Sequence, residues 1–574
     1  MSKNKKINLL ILVAIILIYF IFKLPFNLSV EYSSLNEGPR LAIGHFLLQG
    51  EFFKSYAKPL LIVVYALIVK IFGFGTWSII AIHFIQTFVS ILIAILVYLI
   101  TLKLYKNYSI ANVASLIFLL LLNTPIGAWS GYYELGDHYA LEAEYFCILL
   151  SLLSIYLILA SFSKLKYSIL LAFISGIMCV ISLFFKGSGT VLLISFLLWI
   201  PYTSTQRKLI KAYKANLIAL IVSMVITILL AICFIASIID SNIIIFFKDL
   251  FYPGLYTTQH LISTKGFFEN LLSFMFRGDF SYKGLNNFIV TSIVIFAITW
   301  SILNRPKDNT KKIRNLFEKL IAIWTLGNLC AILAPGSYAS YYYLLLYPGA
   351  SILIATLLAK LIASRTKAMY LAKNLFLPIL ILILVQRIYL LYPTYKIKIK
   401  ESINSNLFLQ KQSFQDPVII DTEVPSRRPF ILQIADYINS FLPNKDDRIY
   451  ILNFIPGHII FSSNIYTYIK RLPPTTITAD LLHQNIYLKE KINILKEDLT
   501  KSPPEIILKP KKIYLEPYLE TNHKEQLLSL FEWLDNLLGK NYRSIDEFNC
   551  TFIDEKITQT FEVYKKVNNI STRR

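Results

Sequence analysis

Long apolar runs separated by short polar breaks dominate the first two thirds of the chain. A helix that crosses a bilayer needs about 20 mostly apolar residues. Runs that meet or approach this lie at 7–24, 77–103, 109–126, 139–163, 167–185, 187–203, 215–239, 285–304, 316–334, 341–362 and 370–392. They predict a polytopic α-helical membrane protein with about eleven transmembrane helices. The run Pro59–Phe72 is shorter and follows a polar stretch, which suits a helix lying in the membrane interface. The basic start Met1–Lys6 precedes the first run and no small-residue cleavage site follows it. That run reads as an uncleaved helix with its N-terminus in the cytoplasm.

Beyond Tyr392 the pattern changes. Phe430–Phe441 has helical spacing, Arg448–Phe454 and Pro503–Leu508 read as buried strands, and Lys524–Leu538 reads as a helix. The alternation predicts a small α/β domain over 393–574. It would follow a membrane domain over 1–392 whose first outer loop, 25–76, carries interfacial helices.

Composition agrees with the pattern. The 574 residues are 55% hydrophobic and 16% charged, against about 25% charged for a soluble globular chain. This excludes an ordinary cytosolic enzyme and a disordered protein. The net charge of +22 would suit nucleic acid, but its distribution points elsewhere. Up to Tyr392 there are 32 basic and 13 acidic residues, and beyond it 25 and 22. With the N-terminus inside, the dense basic clusters at Lys103/Lys106, Lys164/Lys166, Arg207–Lys214, Arg305–Arg314 and Arg365/Lys367 all fall in cytoplasmic loops. That is the positive-inside pattern, and it needs no nucleic acid. An odd number of spans puts the C-terminal domain outside. Among the acids of the membrane part, only Asp308 and Glu318 fall on the cytoplasmic side. Five cysteines without a CxxC pair support neither a disulfide framework nor a cysteine zinc site.

The outer loops hold the candidate chemistry. The first contains Asn36, Glu37 and Arg40, then Lys58-Pro59. A carboxylate such as Glu37 can act as a general base on a hydroxyl, and Lys58 can meet a phosphate as a point charge. Glu37 also reads as an ordinary helix start. The second loop sets aromatics beside Glu134 and Asp137, a combination that suits a sugar or an interfacial aromatic belt. Glu144 lies inside an apolar helix, where an ionisable group is functional by default. Lys186 sits in a short glycine-flanked turn between two spans, as a phosphate contact or a snorkelling lysine. Arg277 is a weaker phosphate contact and His260 a weak metal candidate. Tyr341 opens the tenth span within a tyrosine run. There is no Walker phosphate loop and no HExxH.

In order and spacing these segments resemble the GT-C class of lipid-linked-sugar glycosyltransferases. The resemblance is to the bacterial branch related to protein O-mannosyltransferases and to the lipid A aminoarabinose transferase. Asn36-Glu37-Gly38 is similar to the acidic first-loop motif, and Lys58-Pro59 through Gly73 to the Lys-Pro juxtamembrane helix. Glu142-Ala143-Glu144 resembles an Asn-x-Glu helix start, and Phe185-Lys186-Gly187 a Lys-Gly turn. Tyr341 to Pro348 resembles an aromatic-to-Pro helix start, and Arg471-Leu-Pro-Pro-Thr475 belongs to the pattern of the extracytoplasmic domain. The usual Asp of the first-loop motif is here Asn36, and the position of a metal-ligating Glu is here Ala57. A zinc site of that type is therefore missing, while a divalent-metal requirement stays open.

The resemblance implies a bacterial inner-membrane enzyme that takes a sugar from a polyprenyl-phosphate donor. The acceptor hydroxyl would belong to an extracytoplasmic glycan, lipid or protein, and transfer would be inverting. Glu37 would be the base. Lys58, Lys186 and Arg277 would contact the donor phosphate, with Asn36, Arg40, Glu134, Asp137, Glu144 and Tyr341 at the substrates. A lipid-linked glycan transporter, or a non-catalytic assembly partner of the same fold, would share the helices and outer charges.

Overall fold

The computed structural model describes residues 3–28, 37–50, 59–123, 141–162, 166–204, 207–238, 269, 282–303, 312–333, 340–363, 378, 437–438, 447–452, 466, 474–475, 488–511, 521–552 and 557–567. The apolar runs fold as helices α1 (Lys3–Asn27), α2 (Glu37–Leu48), α3 (Pro59–Phe72), α4 (Thr76–Tyr105), α5 (Tyr108–Asn123), α6 (Ala143–Ser161), α7 (Ser168–Phe185), α8 (Thr190–Ser204), α9 (Arg207–Ile238), α10 (Tyr282–Leu303), α11 (Lys312–Leu333) and α12 (Tyr347–Ala363). Short 3-10 turns at Gly187–Gly189 and Ser340–Leu345 lead into α8 and α12. Described helices thus occupy ten of the eleven predicted spans; of 370–392 only Pro378 is described.

Six described helices are long and apolar enough to cross a bilayer, within α1, α4, α6, α7, α9 and α11. Helix α5 starts at Tyr108, and 124–126 of its predicted run lie outside the described residues. Asn107 sets its start, its side-chain oxygen accepting the backbone N–H of Ser109 and Ile110 at 2.9 and 3.2 Å. The protein is a multi-pass membrane protein.

The chain divides into two compact units. The first holds Met1–Leu28, Lys54–Leu61 and His83–Ile403, and so most of the helices. Its outward faces are apolar: Leu10, Ile18 and Leu230 are exposed. Its interior is mostly aliphatic, with some joins that are polar or aromatic. Ser154 of α6 and Ser175 of α7 each donate to the other's backbone carbonyl at 2.8 Å. Such small polar residues let helices approach closely where lipid removes the hydrophobic drive between them. Trp199 of α8 donates to the Leu316 carbonyl at 2.8 Å and packs with Phe162 and Phe317. Tyr213, where α9 kinks, stacks on Phe162 at 4.4 Å.

A charged knot ties α4, α11 and α12. The buried Glu318 accepts from Tyr105 at the end of α4, lies 2.8 Å from Lys360 Nζ of α12, and has Arg314 Nε at 3.4 Å one turn earlier on its own helix. Tyr105 is nineteen residues from Gln86, so the knot lies about 28 Å along α4 from the polar cluster around Gln86.

The second unit holds Ser29–Phe53, Ile62–Ile82 and Asn404–Arg574. Its sheet contains β1 (Ile449–Ile451), β2 (Ile506–Pro510), β3 (Tyr542–Phe552) and β4 (Ile557–Lys566), with helices α13 (Leu488–Lys501) and α14 (Thr521–Asn541). The strand order is β1-β2-β4-β3. The β1–β2 pair is parallel, with Ile449 opposite Ile506, and the other pairs are antiparallel. Parallel neighbours need a crossover, and α13 lies in it. Leu488, Ile492, Leu495 and Leu499 of α13 recur at helical spacing and pack with Leu527, Phe531 and Leu534 of α14 over Tyr450 and Ile507. Ile506 and Leu508 on the opposite face are also buried, so both faces of β2 are covered. The two predicted strands and the C-terminal helix are present. Helix α13 and the β3–β4 hairpin were not foreseen. Of the expected helix Phe430–Phe441, only Tyr437 and Ile438 are described.

Candidate active site

In the helical unit, two predicted residues meet. Helix α6 starts just after Glu142, with Glu144 in its first turn, where the helix dipole favours a negative charge. Helix α7 ends at Phe185 and hands the chain to Lys186 in an extended conformation. The following 3-10 turn folds back tightly: Gly189 N–H donates to the Lys186 carbonyl at 2.8 Å. A side chain at Gly189 would come within 2.6 Å of the Leu183 backbone nitrogen, so the turn needs glycine there. The rings of Phe146 and Phe185 stack at 4.9 Å and bring the two helix ends together. Lys186 Nζ then donates to Glu144 Oε1 in an ion pair. The Glu144 side chain is fully buried and that of Lys186 is 16% exposed, so the cation reaches the surface and its counter-ion does not. Cys147, one turn after Glu144, lies 3.9 Å from Ser188 Oγ of the turn.

Behind this pair runs a buried polar seam that the sequence reading passed over. Gln86 Nε2 donates to the Tyr145 hydroxyl at 2.5 Å, and Thr87 Oγ1 donates to Asn27 Oδ1 of α1 at 2.8 Å. His83, Ser90 and Lys23 are buried as well, with Lys23 Nζ 5.6 Å from the Phe26 ring. The signal was available: polar residues at 83, 86, 87 and 90 recur at helical spacing within an apolar run, as do Lys23 and Asn27.

In the second unit, Glu37 begins α2 and is fully buried. Arg40, three residues later on the same helix face, is also buried, its guanidinium 6.0 Å from the Tyr65 ring of α3. The two helices cross almost backbone to backbone. A side-chain carbon at Gly44 would stand 2.7 Å from Ala66 N and 2.8 Å from Tyr65 C. His45 sits with its ring 5.4 Å from Phe74 and 3.3 Å from the Gln49 amide nitrogen. Burial holds the His45 imidazole below its usual pKa of 6.5. Ser78 closes the turn into α4 by donating to the Gly73 carbonyl, and Gly73 takes a positive φ of 77° there.

Asn36, Lys58, Glu134, Asp137, His260 and Arg277 lie outside the described residues. Tyr341 falls in the 3-10 turn Ser340–Leu345 that leads into α12, with only its backbone described. Among the described residues no three His, Cys, Asp or Glu side chains converge as a metal site would require.

No family model matches the sequence, and no curated protein does. Solved structures do match. ArnT from Cupriavidus metallidurans bound to undecaprenyl phosphate superposes over 98% of this chain and 98% of its own, with a TM-score of 0.51 and 11% identity. Its apo form gives the same coverage and TM-score at 12% identity. The chain has the GT-C fold.

The Archaeoglobus fulgidus oligosaccharyltransferase AglB, in complex with an inhibitory peptide and a dolichol-phosphate, overlaps more loosely. It covers 88% of this chain and 70% of its own, with a TM-score of 0.45 and 13% identity. Within the GT-C fold of this chain, the Glu144–Lys186 pair offers a fixed, partly exposed cation, and α2 offers a buried carboxylate beside a buried arginine. A fixed cation can stabilise an anionic leaving group, and a carboxylate can take a proton.

Proposed function

We propose that this protein is a glycosyltransferase that moves a sugar from a polyprenyl-phosphate carrier to a hydroxyl of an extracytoplasmic glycan, lipid or protein. The carrying observation is the Glu144–Lys186 pair in a chain of the ArnT fold, whose Cupriavidus representative holds undecaprenyl phosphate. A lysine ammonium has three donors. One donates to Glu144, and in the proposed complex phosphate oxygens accept from the ammonium as well. Glu144 thus works through Lys186: it keeps a cation poised without exposing its own charge.

In the proposed reaction, Glu37 takes the proton of the acceptor hydroxyl. The freed oxygen attacks the anomeric carbon from the face opposite the phosphate. The sugar–phosphate bond breaks with inversion, and polyprenyl phosphate leaves. Its developing charge is met by Lys186, with Lys58 and Arg277 as further phosphate contacts. Asn36, Arg40, Glu134, Asp137 and Tyr341 are assigned to substrate binding. The residues 393–574 form an extracytoplasmic domain, and the N-terminus faces the cytoplasm of a bacterial inner membrane. The basic clusters support that orientation.

The test uses purified full-length protein in lipid with a labelled polyprenyl-phosphate sugar. Wild type should release polyprenyl phosphate when a hydroxyl acceptor is present. Glu37→Gln should lose on the order of 10²–10⁴-fold in turnover. Wild-type turnover in that variant would remove Glu37 as the base, and donor binding without any turnover would mark a non-catalytic member of the fold.

A further inference from the structure

The start of α6 is a place where contacts from neighbouring helices matter. Its N-cap residue, Glu142, makes no side-chain capping hydrogen bond. The first-turn N–H groups of any helix have no partner within the helix, so that turn frays most easily and contacts from outside help to fix it. Glu144 sits in this turn, and any rotation would swing its carboxylate away from Lys186.

Two of the described contacts help to hold the turn. One is the stacking of Phe146 on Phe185. The other is polar and comes from α4, where Gln86 Nε2 donates to the hydroxyl of Tyr145, the residue directly after Glu144. Tyr145 is fully buried and Gln86 nearly so, which keeps water from competing for the bond. Gln86 is itself braced: its amide nitrogen lies 3.4 Å from Ser90 Oγ, one turn on, and its oxygen lies 3.4 Å from Thr87 Oγ1. Thr87 in turn is anchored on Asn27 of α1. The chain of bonds therefore runs from α1 through α4 to the one turn of α6 that carries the charged pair.

We infer that Gln86 and Tyr145 are positioning residues for the Glu144–Lys186 pair, and that the bond between them sets where Lys186 presents its ammonium to a phosphate. The inference rests on the proposed role of Lys186 at the donor phosphate. Ordinary helix glue would serve equally well at any level of α4 and α6. This bond falls beside the carboxylate, at a helix start whose N-cap side chain makes no capping hydrogen bond.

The experiment compares wild type, Gln86→Leu, Tyr145→Phe and the double variant, all full-length in lipid nanodiscs. Affinity for undecaprenyl phosphate, thermal midpoint, and KM and kcat for the sugar donor are measured for each. Each single variant should weaken phosphate-carrier binding roughly three- to ten-fold, the scale of one buried hydrogen bond. KM should rise by a similar factor with kcat nearly unchanged. The double variant should be no weaker than the weaker single, because both remove the same bond. Variants that lower the thermal midpoint yet bind the carrier as wild type does would overturn the inference and leave the proposed function intact. Additive losses in the double variant would also overturn it. Wild-type protein that fails to bind undecaprenyl phosphate would overturn the proposed function and this inference with it.

Discussion

Replacing Gly44 by alanine tests how the first-loop carboxylate is held. The new carbon would stand 2.7 Å from Ala66 N and 2.8 Å from Tyr65 C, both backbone atoms of α3. Favourable contact begins at about 3.5 Å. Relief therefore requires α2 to move off α3 by roughly 1 Å, because no side-chain rotation removes a clash with backbone. Overpacking of this kind costs about 1–3 kcal/mol. Glu37 lies seven residues before Gly44 on the same helix, about 10 Å along its axis, so it moves with the helix as a rigid body. A misplacement near 1 Å at a reacting group costs on the order of 10²-fold in rate. With Glu37 as the proposed base, Gly44→Ala should thus lose about two orders of magnitude in turnover for a modest loss of stability. The control is Gly539→Ala in α14, where nothing lies within 4 Å of the added carbon. Alanine there should stabilise by about 1 kcal/mol at most and leave turnover alone. Thermal unfolding in detergent and release of polyprenyl phosphate measure the two effects. A Gly44→Ala protein with wild-type midpoint and wild-type turnover would refute both the close crossing and its role in positioning Glu37.

Two further outcomes are expected. Glu318→Gln leaves Arg314 and Lys360 facing each other without their acid; a fully buried pair broken this way loses about 3–5 kcal/mol. The cations here are 32% and 20% exposed, so about 2 kcal/mol is expected. Adding Lys360→Met should recover part of it in a thermal unfolding series, and an uncorrected loss would contradict the knot. For His45, burial favours the neutral ring, so its folded pKa lies below the unfolded value of 6.5. The stability it contributes is complete above pH 6.5 and declines as pH falls through that value. His45→Asn should flatten the slope of stability against pH between about 7 and 5; an unchanged slope would remove His45 as its source.

Hydropathy carried most of the helical fold, because each span is a continuous apolar run. It carried less of what lies inside them. Gln86 and Asn27 belong to short polar stripes in long apolar helices, and such stripes barely change a window average. Their partners, Tyr145 and Thr87, lie 59 and 60 residues away, and no local pattern joins them. Glu144 and Lys186 were each picked out on their own merits, as an acid inside an apolar run and a cation in a short turn. That they pair across 42 residues is a property of the packed helices. Glu318 was set aside as one of two cytoplasmic acids, although Arg314 four residues earlier was a readable clue to its burial. In the second unit the hairpin strands carry Arg543, Asp546, Glu547, Glu562 and Lys565, which obscure their alternation. The buried β1 and β2 are nearly all apolar and were found at once.

The Glu318 knot also bears on the order in which the protein is made. As α11 emerges from the ribosome, Glu318 enters the bilayer with Arg314 already one turn away, so the acid never faces hydrocarbon alone. Lys360 arrives 42 residues later, with the next described helix. Tyr105, in contrast, has been synthesised 213 residues before its acceptor exists. The end of α4 must therefore wait, unlatched, through the insertion of every helix between them. Completion of α11 and α12 is the event that fastens it, and a nascent chain stopped before α11 would lack that latch.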